Sequence, residues 1–508
     1  MKHAQPYDAV VIGAGHNGLV AAAYLARAGL HVCVVERSEV IGGATISEAV
    51  WPGWTVSAAS YVCSLLDPRI VEELDLPAHG YSVYRKSAAS FTPLPDGRSL
   101  LLTRDENENA REIAKFSKRD VDGHARFAEE VARLGAALNA TFEAAAPSLE
   151  AFDARARATF DGSAAELVER YVETPVLQAE MVNDGLIGTY AGPRTPGTGY
   201  VLVHHNAGQA LGIQGAWGFV RGGMGAVARA IAGAARAAGA TIATASPVAQ
   251  ILCDGGRARG VVLADGTEIR SRAVLSNADP KTTFLRLVPD SELGDSFVQR
   301  VRDWRCIGVS LKVNFALGEL PDYTARPGTN AQPHHGATIH VAPDVDYLQT
   351  AYEDAVAGSV SRRPLIECYM QSPSDPSIAP PGKHLLSVFA QYFPYDRQDG
   401  PWTDAMREAA ADTIVAELAK VAPNLPNAIE ARQILAPPDL ERRFGLSGGH
   451  IFHGELLPDQ IFEHRFATRT PLLGLYLCGS GAHPGGCVTG VPGLRASRAA
   501  LAELATAR

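Results

Sequence analysis

The segment Tyr7–Ile12 (YDAVVI) runs directly into Gly13-Ala14-Gly15-His16-Asn17-Gly18, a G-x-G-x-x-G, and no other stretch restricts the architecture of this chain as strongly. The β-branched run predicts a strand. Leu19–Ala28 predicts a helix with Gly29 as its stop, and His31–Val35 (HVCVV) predicts a second strand. The three make a β-α-β unit of the usual ~30 residues. Glu36 closes the second strand, 18 residues beyond Gly18. In that context the glycines read as a dinucleotide-binding fingerprint. Gly13 permits the tight turn, Gly15 lets backbone approach a pyrophosphate, and Gly18 lets the helix pack on the sheet. The helix N-terminus turns unpaired N–H groups toward phosphate. Glu36 suits two ribose hydroxyls and repels a 2′-phosphate, which disfavours NADP.

The 508 residues allow two to four domains at ~150 residues each. With 46% hydrophobic and 20% charged residues the composition is that of a globular protein rather than a disordered one. The net charge of −9 argues against a nucleic-acid partner and against a polybasic membrane patch. None of the seven cysteines is spaced C-x-x-C, so neither a disulfide framework nor a zinc site is expected, and no metal is assigned. No run of 18 uncharged apolar residues suggests a transmembrane segment, and a first strand beginning by Tyr7 leaves no room for a signal peptide. The expectation is a cytoplasmic protein, with peripheral membrane contact left open.

Farther along, Thr103–Glu130 is charge-rich and predicts a solvated helix, and Ala191–Thr198 (AGPRTPGT) predicts a loop. Met224–Ala238 predicts an alanine-rich helix stopped by Gly239. Pro247–Arg270, with turns at Asp254-Gly255-Gly256 and Asp265-Gly266, predicts a β-meander, and Ala273–Ser276 a separate short strand. Val309–Phe315, Ile366–Met370 and Leu385–Tyr392 predict a different sheet, and Ala405–Val421 a helix. There are no internal repeats.

Two further glycine segments extend the first motif. Ile41-Gly42-Gly43-Ala44-Thr45 follows the acid and implies a second close approach of backbone to a long cofactor. Leu475–Gly493 (LYLCGSGAHPGGCVTGVPG) again reads strand, glycine loop, helix, with Pro492 in the first helical turn. Its N–H groups around Thr489, Gly490 and Val491 could serve an electron-rich ring edge.

Together these three segments resemble the FAD-binding elements of the phytoene-desaturase-like flavoproteins, within the wider amine-oxidase and disulfide-reductase fold group. Tyr190–His205, Trp217–Ala226, Leu311–Leu317 and His450–Gln460 are similar to the branch holding the pyridine nucleotide-disulfide oxidoreductase domain-containing proteins. The resemblance implies an α/β fold with a Rossmann-like FAD domain from residues 1–80, 215–290 and 465–508. It implies a mixed-sheet substrate domain from residues 81–214 and 291–464. The cofactor residues it implies are Gly13, Gly15, Gly18, Glu36, Arg37, Gly42, Gly43, Ala44, Gly223, Met224, Val248, Gly479, Val488, Thr489, Gly490 and Val491. Gly222, Gly223 and Met224 are expected against the flavin or the cavity floor. The implied activity is an FAD-dependent oxidation or desaturation of a hydrophobic, isoprenoid-like small molecule by hydride transfer to flavin N5.

Acid–base candidates are weaker. His453 lies in an H-x-x-H with His450, where Gly448-Gly449 points to a loop, and His483 lies in the C-terminal glycine loop. His204-His205 on a strand would face opposite ways, so at most one serves the site. His334-His335 sits in a Pro/Gly loop and is expected to be solvated. A flavin amine oxidase is an alternative, requiring an aromatic pair for which Trp304 and Tyr369 are the candidates. A carrier of the GDP-dissociation-inhibitor kind is another, disfavoured by Glu36 and the C-terminal glycines. No second strand–glycine–helix unit with its acid is visible. The expected electron acceptor is therefore oxygen, a quinone or another protein rather than a nicotinamide.

Overall fold

The computed structural model describes residues 6–506. Five parallel strands form the centre of the first sheet. In order across it they are Thr241–Ala243, Val32–Val35, Tyr7–Ile12, the end of Glu268–Ser276, and Leu475–Leu477. Val32–Val35 and Leu475–Leu477 are buried throughout, as parallel strands covered on both faces must be. The helix His16–Arg27 covers one face, beside Gly225–Ala237 and Val491–Thr506. Its contact with the last helix is close: a side chain at Gly493 would run into the Asn17 carbonyl. Gly29 and Gly239, both at positive φ, end two of these helices as expected.

The meander Val248–Asp254, Arg257–Leu263 and Glu268–Ser276 extends this sheet antiparallel. The last of these is one continuous strand, not two. Its first half pairs with the meander and its second half with Tyr7–Ile12.

The second sheet has seven strands. Their order is Ile429–Leu435, Ser310–Leu317, His384–Gln391, Leu365–Tyr369, Thr338–Val341, Ser90–Pro93 and Ser99–Leu102. All adjacent pairs are antiparallel except Thr338–Val341 with Ser90–Pro93, so the sheet is mixed. Helices Glu106–Ala114 and Arg119–Thr141 replace the single solvated helix expected from the charge run. Asp120 turns inward instead and accepts bonds from the backbone N–H groups of Glu173 (2.9 Å) and Thr174 (2.7 Å). Those bonds fix the start of the second helix. No helix among the described residues is long and apolar enough to cross a membrane.

Candidate active site

A cavity of about 780 Å³ begins at the end of the first β-α-β unit and runs inward to the second sheet. Gly13, Gly15, Glu36, Arg37, Gly42, Gly43, Ala44 and Val248 line its outer part, beside Asn277 and Asp279. The first turn has the shape a phosphate cradle requires. Gly13 sits at φ +93°, and its N–H donates to the Val35 carbonyl at 2.8 Å. Gly15 caps the helix, and a Cβ there would lie 2.6 Å from Asn277 Nδ2. Gly18 lies behind the cavity wall, pressed on the Gly13 carbonyl, so its part is packing. The second glycine pair is tied to the first, since the Gly42 N–H donates to the Ala14 carbonyl at 2.9 Å.

Glu36 is 8% exposed and accepts from the N–H groups of Ala14 (2.7 Å) and Ser38 (2.8 Å). Those two bonds hold its carboxylate at the cavity wall. Arg37 donates to the carbonyls of Arg443 (2.9 Å) and Arg442 (3.3 Å) at the end of helix Pro437–Phe444. It thereby joins the outer mouth to the second half of the chain.

The C-terminal loop contributes Ser480, Cys487 and Val488 to the wall. Gly479, Thr489, Gly490 and Val491 lie just behind it. Thr489 Oγ1 accepts from the Val491 N–H at 3.2 Å, and a Cβ at Gly490 would meet Ile70 Cδ1 at 2.7 Å. Gly223 and Met224 are not on the cavity floor. The Met224 N–H donates to Ser57 Oγ at 3.0 Å and the Gly225 N–H to Ser47 Oγ at 2.8 Å. Met224 and Gly225 thus brace the hairpin beneath the second glycine pair, and the Gly223 N–H is taken up by the Val220 carbonyl at 2.9 Å. Gly222 is likewise taken up, its N–H donating to Asp375 Oδ2 at 2.7 Å.

Of the expected histidines, His453 lines the cavity and His483 does not. Burial pushes His453 down to about 4, so it is neutral at pH 7. Its carbonyl accepts from Trp304 Nε1 at 2.9 Å. His483 is packed on Phe142 and Phe462 and reaches the Thr141 carbonyl at 3.2 Å, a structural place. His204 and His205 lie on the helix Thr198–His205, not a strand, and only His205 reaches the wall. Val201 O lies 2.9 Å from its Nδ1. His334 and His335 are buried rather than solvated, His334 against Phe91 and His335 on the Pro321 carbonyl at 2.9 Å. Trp304 packs on Phe466 and Tyr369 on Tyr61, so the suggested aromatic pair is not assembled.

The inner wall holds what the sequence reading missed: His16, Tyr61, Trp217, Lys312 and Phe389. Lys312 stands on Ser310–Leu317, all eight residues of which are buried. Its Nζ donates to Asn314 Oδ1 (2.7 Å) and Ser387 Oγ (2.6 Å), both neutral, and stands 5.5 Å from the Tyr61 ring centre. With no carboxylate bonded to it, burial pushes this amine down to about 7. A lysine inside an otherwise apolar strand (SLKVNFAL) is the signal that could have found it. His16, inside the fingerprint itself, is pushed down to about 4 by burial, and its Nε2 has no protein partner.

One buried cation pins the two loops that carry His453 and Cys487. Arg465 is 3% exposed and donates to the carbonyls of Phe452 (2.7 Å), Glu455 (3.0 Å), Gln460 (3.1 Å) and Ser480 (2.7 Å).

A glycine-cradled helix N-terminus, a buried carboxylate fixed at the cavity wall and a cavity running on into a second sheet are the features of a dinucleotide-dependent oxidoreductase. The model of the flavin-containing amine oxidoreductases matches residues 18–501, and the chain belongs to that family. Its cofactor is FAD. The chain is 41% identical to the mouse pyridine nucleotide-disulfide oxidoreductase domain-containing protein 2, over 98% of this chain and 94% of that one. It is 28% identical to the lycopene-forming phytoene desaturase of a Paracoccus strain, over 98% and 96% of the two chains. Among solved structures, cyclohexylamine oxidase from Brevibacterium oxydans superposes with a TM-score of 0.61 at 18% identity, covering 99% of each chain. The α/β fold and the flavoprotein family are those expected from the glycine segments.

Proposed function

We propose that this flavin oxidoreductase oxidises or desaturates an apolar small molecule, which gives up a hydride to the bound FAD. The observation that carries the reading is the continuity of the cavity. It runs from Glu36 at one end to Ile187, Trp217, Phe389, Ile451 and Phe452 at the other, with Lys312 among them. Bound FAD supplies the two-electron acceptor. Gly13, Gly15, Glu36, Arg37, Gly42, Gly43, Ala44, Val248 and Val488 are assigned to hold it. Gly18, Gly223, Met224, Gly479, Thr489, Gly490 and Val491 set the backbone behind them. Residues 1–80, 215–290 and 465–508 are assigned to the FAD domain, and residues 81–214 and 291–464 to the substrate domain. The name of the Paracoccus relative supports an isoprenoid-like substrate. The seven unpaired cysteines support a reducing compartment, the cytoplasm. Oxygen, a quinone or another protein is the proposed electron acceptor.

Lys312 is assigned the substrate's proton. Its amine is neutral above about pH 7, so substrate-driven bleaching of the flavin band should quicken as pH rises through that value. The test is anaerobic mixing of the FAD-loaded protein with an isoprenoid hydrocarbon, an isoprenoid alcohol and an alkylamine. The hydrocarbon or the alcohol should bleach it. Lys312→Met should slow the active pair by ~10²–10⁴ and remove the pH limb, at unchanged flavin content. An unaltered pH limb would remove Lys312 from the chemistry.

A flavin amine oxidase is the second reading, favoured by Tyr61 and Phe389, whose rings lie 5.8 Å apart in the same wall. Bleaching by the amine alone would select it.

Glu36→Ala should lower FAD affinity by ~1.5–3 kcal/mol, the usual worth of charge-assisted bonds. Titration of the apoprotein with FAD measures this. Unchanged affinity would displace the ribose from Glu36.

A further inference from the structure

Behind the inner wall lies a cluster of buried ionisable groups that the reading above does not use. Glu367, on Leu365–Tyr369, is 0% exposed. The Tyr61 hydroxyl donates to its Oε1 at 3.3 Å, and the Tyr369 hydroxyl donates to the same oxygen. Asn183 Nδ2 donates to its Oε2 at 2.6 Å, and His340 Nε2 lies 3.4 Å from that oxygen. Of these groups Tyr61 alone also lines the cavity. The Tyr61 and Tyr369 rings pack at a tilt of 35° with centres 4.6 Å apart, Lys312 Nζ lying over the first and Lys86 Nζ over the second.

The other charges facing the cluster are Asp184, Glu180 and Lys86, with Arg104 acting on Lys86, His124 beside Glu180, and His205 and Cys368 near Glu367. Ser90 Oγ donates to Glu180 at 2.7 Å, and Asn206 Nδ2 donates to Asp184 at 3.0 Å.

We propose that the Glu367–His340–Asp184 cluster is the proton reservoir of the site, reached from the cavity through the Tyr61 hydroxyl. This rests on the assignment of the cavity to FAD. A substrate C–H bond breaks with its electron pair passing to the FAD, and the substrate's second proton passes to Lys312. That proton moves on when the lysine side chain swings from over the Tyr61 ring to Tyr61 Oη, the tyrosine's own hydrogen passing to Glu367. Tyr61 ends neutral, Lys312 is restored, and the cluster gains one proton. The geometry suits this because Tyr61 lines the inner part of the cavity while its hydroxyl donates to Glu367, which is wholly buried behind it. Burial then Glu367 push Asp184 up to about 7, and burial pushes the neighbouring Lys86 down to about 8, so one member of the cluster and one neighbour exchange protons near neutrality. Burial alone would lower His340, but Glu367 outweighs it and raises it; Glu367 is lowered in turn, chiefly by His340 against its own burial.

The test needs no substrate. The FAD-loaded protein is titrated with dithionite, and the midpoint potential is followed against pH. Each proton taken up adds ~29.6 mV per pH unit to a two-electron couple. From about pH 7.5 to 8.5, where the reduced ring itself holds one proton, the wild-type slope should approach ~59 mV per unit. Glu367→Gln and, independently, Asp184→Asn should bring it to ~30. Tyr61→Phe should keep the steep slope but delay proton uptake by at least ~10-fold, read with a pH indicator after flash photoreduction. A wild-type slope near ~30, or variants indistinguishable from wild type, would overturn the proposal while leaving the FAD assignment intact. A protein that takes up no flavin would overturn both.

Discussion

Arg465→Met is expected to be the most destabilising single substitution near the site. The guanidinium satisfies four buried carbonyls with five hydrogen bonds. Methionine fills much of the volume but donates nothing. An orphaned buried acceptor costs ~1–3 kcal/mol, so four of them amount to roughly 4 kcal/mol or more. Burial already presses this cation down to about 10, so part of the loss is offset by no longer burying a charge. The segments released are those bearing His453 and Cys487, so flavin content should fall along with the melting temperature. Arg465→Lys keeps a cation but not the planar fork, and should recover only part of the loss. Thermal unfolding and the ratio of flavin to protein absorbance measure both effects. A melting temperature within a degree or so of wild type would mean that the two loops hold each other without it.

Gly18→Val should weaken FAD binding by up to ~100-fold. A Cβ at Gly18 would overlap the Gly13 carbonyl and press on Asn277. The carbonyl belongs to the turn at φ +93°, so relief must come from moving the cradle itself. Overpacking of this sort costs ~1–3 kcal/mol, and 2.8 kcal/mol is about 100-fold in affinity. Gly294→Val is the control, since that position has an ordinary φ and open space around it. Fluorescence titration of each apoprotein with FAD reads the difference. Equal affinities would mean that Gly18 packs against nothing that matters to the cofactor.

The outer part of the cavity was legible because its chemistry is local. A tight turn, a close backbone approach and an acid at a strand end each leave a residue type at a fixed spacing, as at Gly13, Gly15 and Glu36. The C-terminal loop was located but not oriented. A strand–glycine–helix pattern says where the chain turns, not which side of the turn faces inward, and the wall takes Cys487 and Val488 rather than Thr489 and Gly490. Gly223 and Met224 lie off the wall for a similar reason, their donors being spent on the Val220 carbonyl and Ser57 Oγ nearby. The inner part was hardly legible. Tyr61, His205, Lys312 and Phe389 are brought together by the pairing of distant strands and by one helix, and no local pattern encodes that meeting. His334 and His335 show the converse error. Their Pro/Gly surroundings describe a turn correctly, yet that turn folds under Phe91 and Tyr323.

The central sheet also sets a timetable. Tyr7–Ile12 pairs with Glu268–Ser276, which pairs with Leu475–Leu477, and the last helix seals the fingerprint helix at Gly493. A ribosome makes the phosphate cradle first and its covering last. Until Leu475–Leu477 and the last helix are made, the nascent chain carries a nucleotide site whose fingerprint helix lacks one of its neighbours. Domains usually fold as they emerge, N-terminal first. Here closure of the flavin site must await the emergence of Leu475–Leu477 and of the helix after it, however early the cradle itself is made.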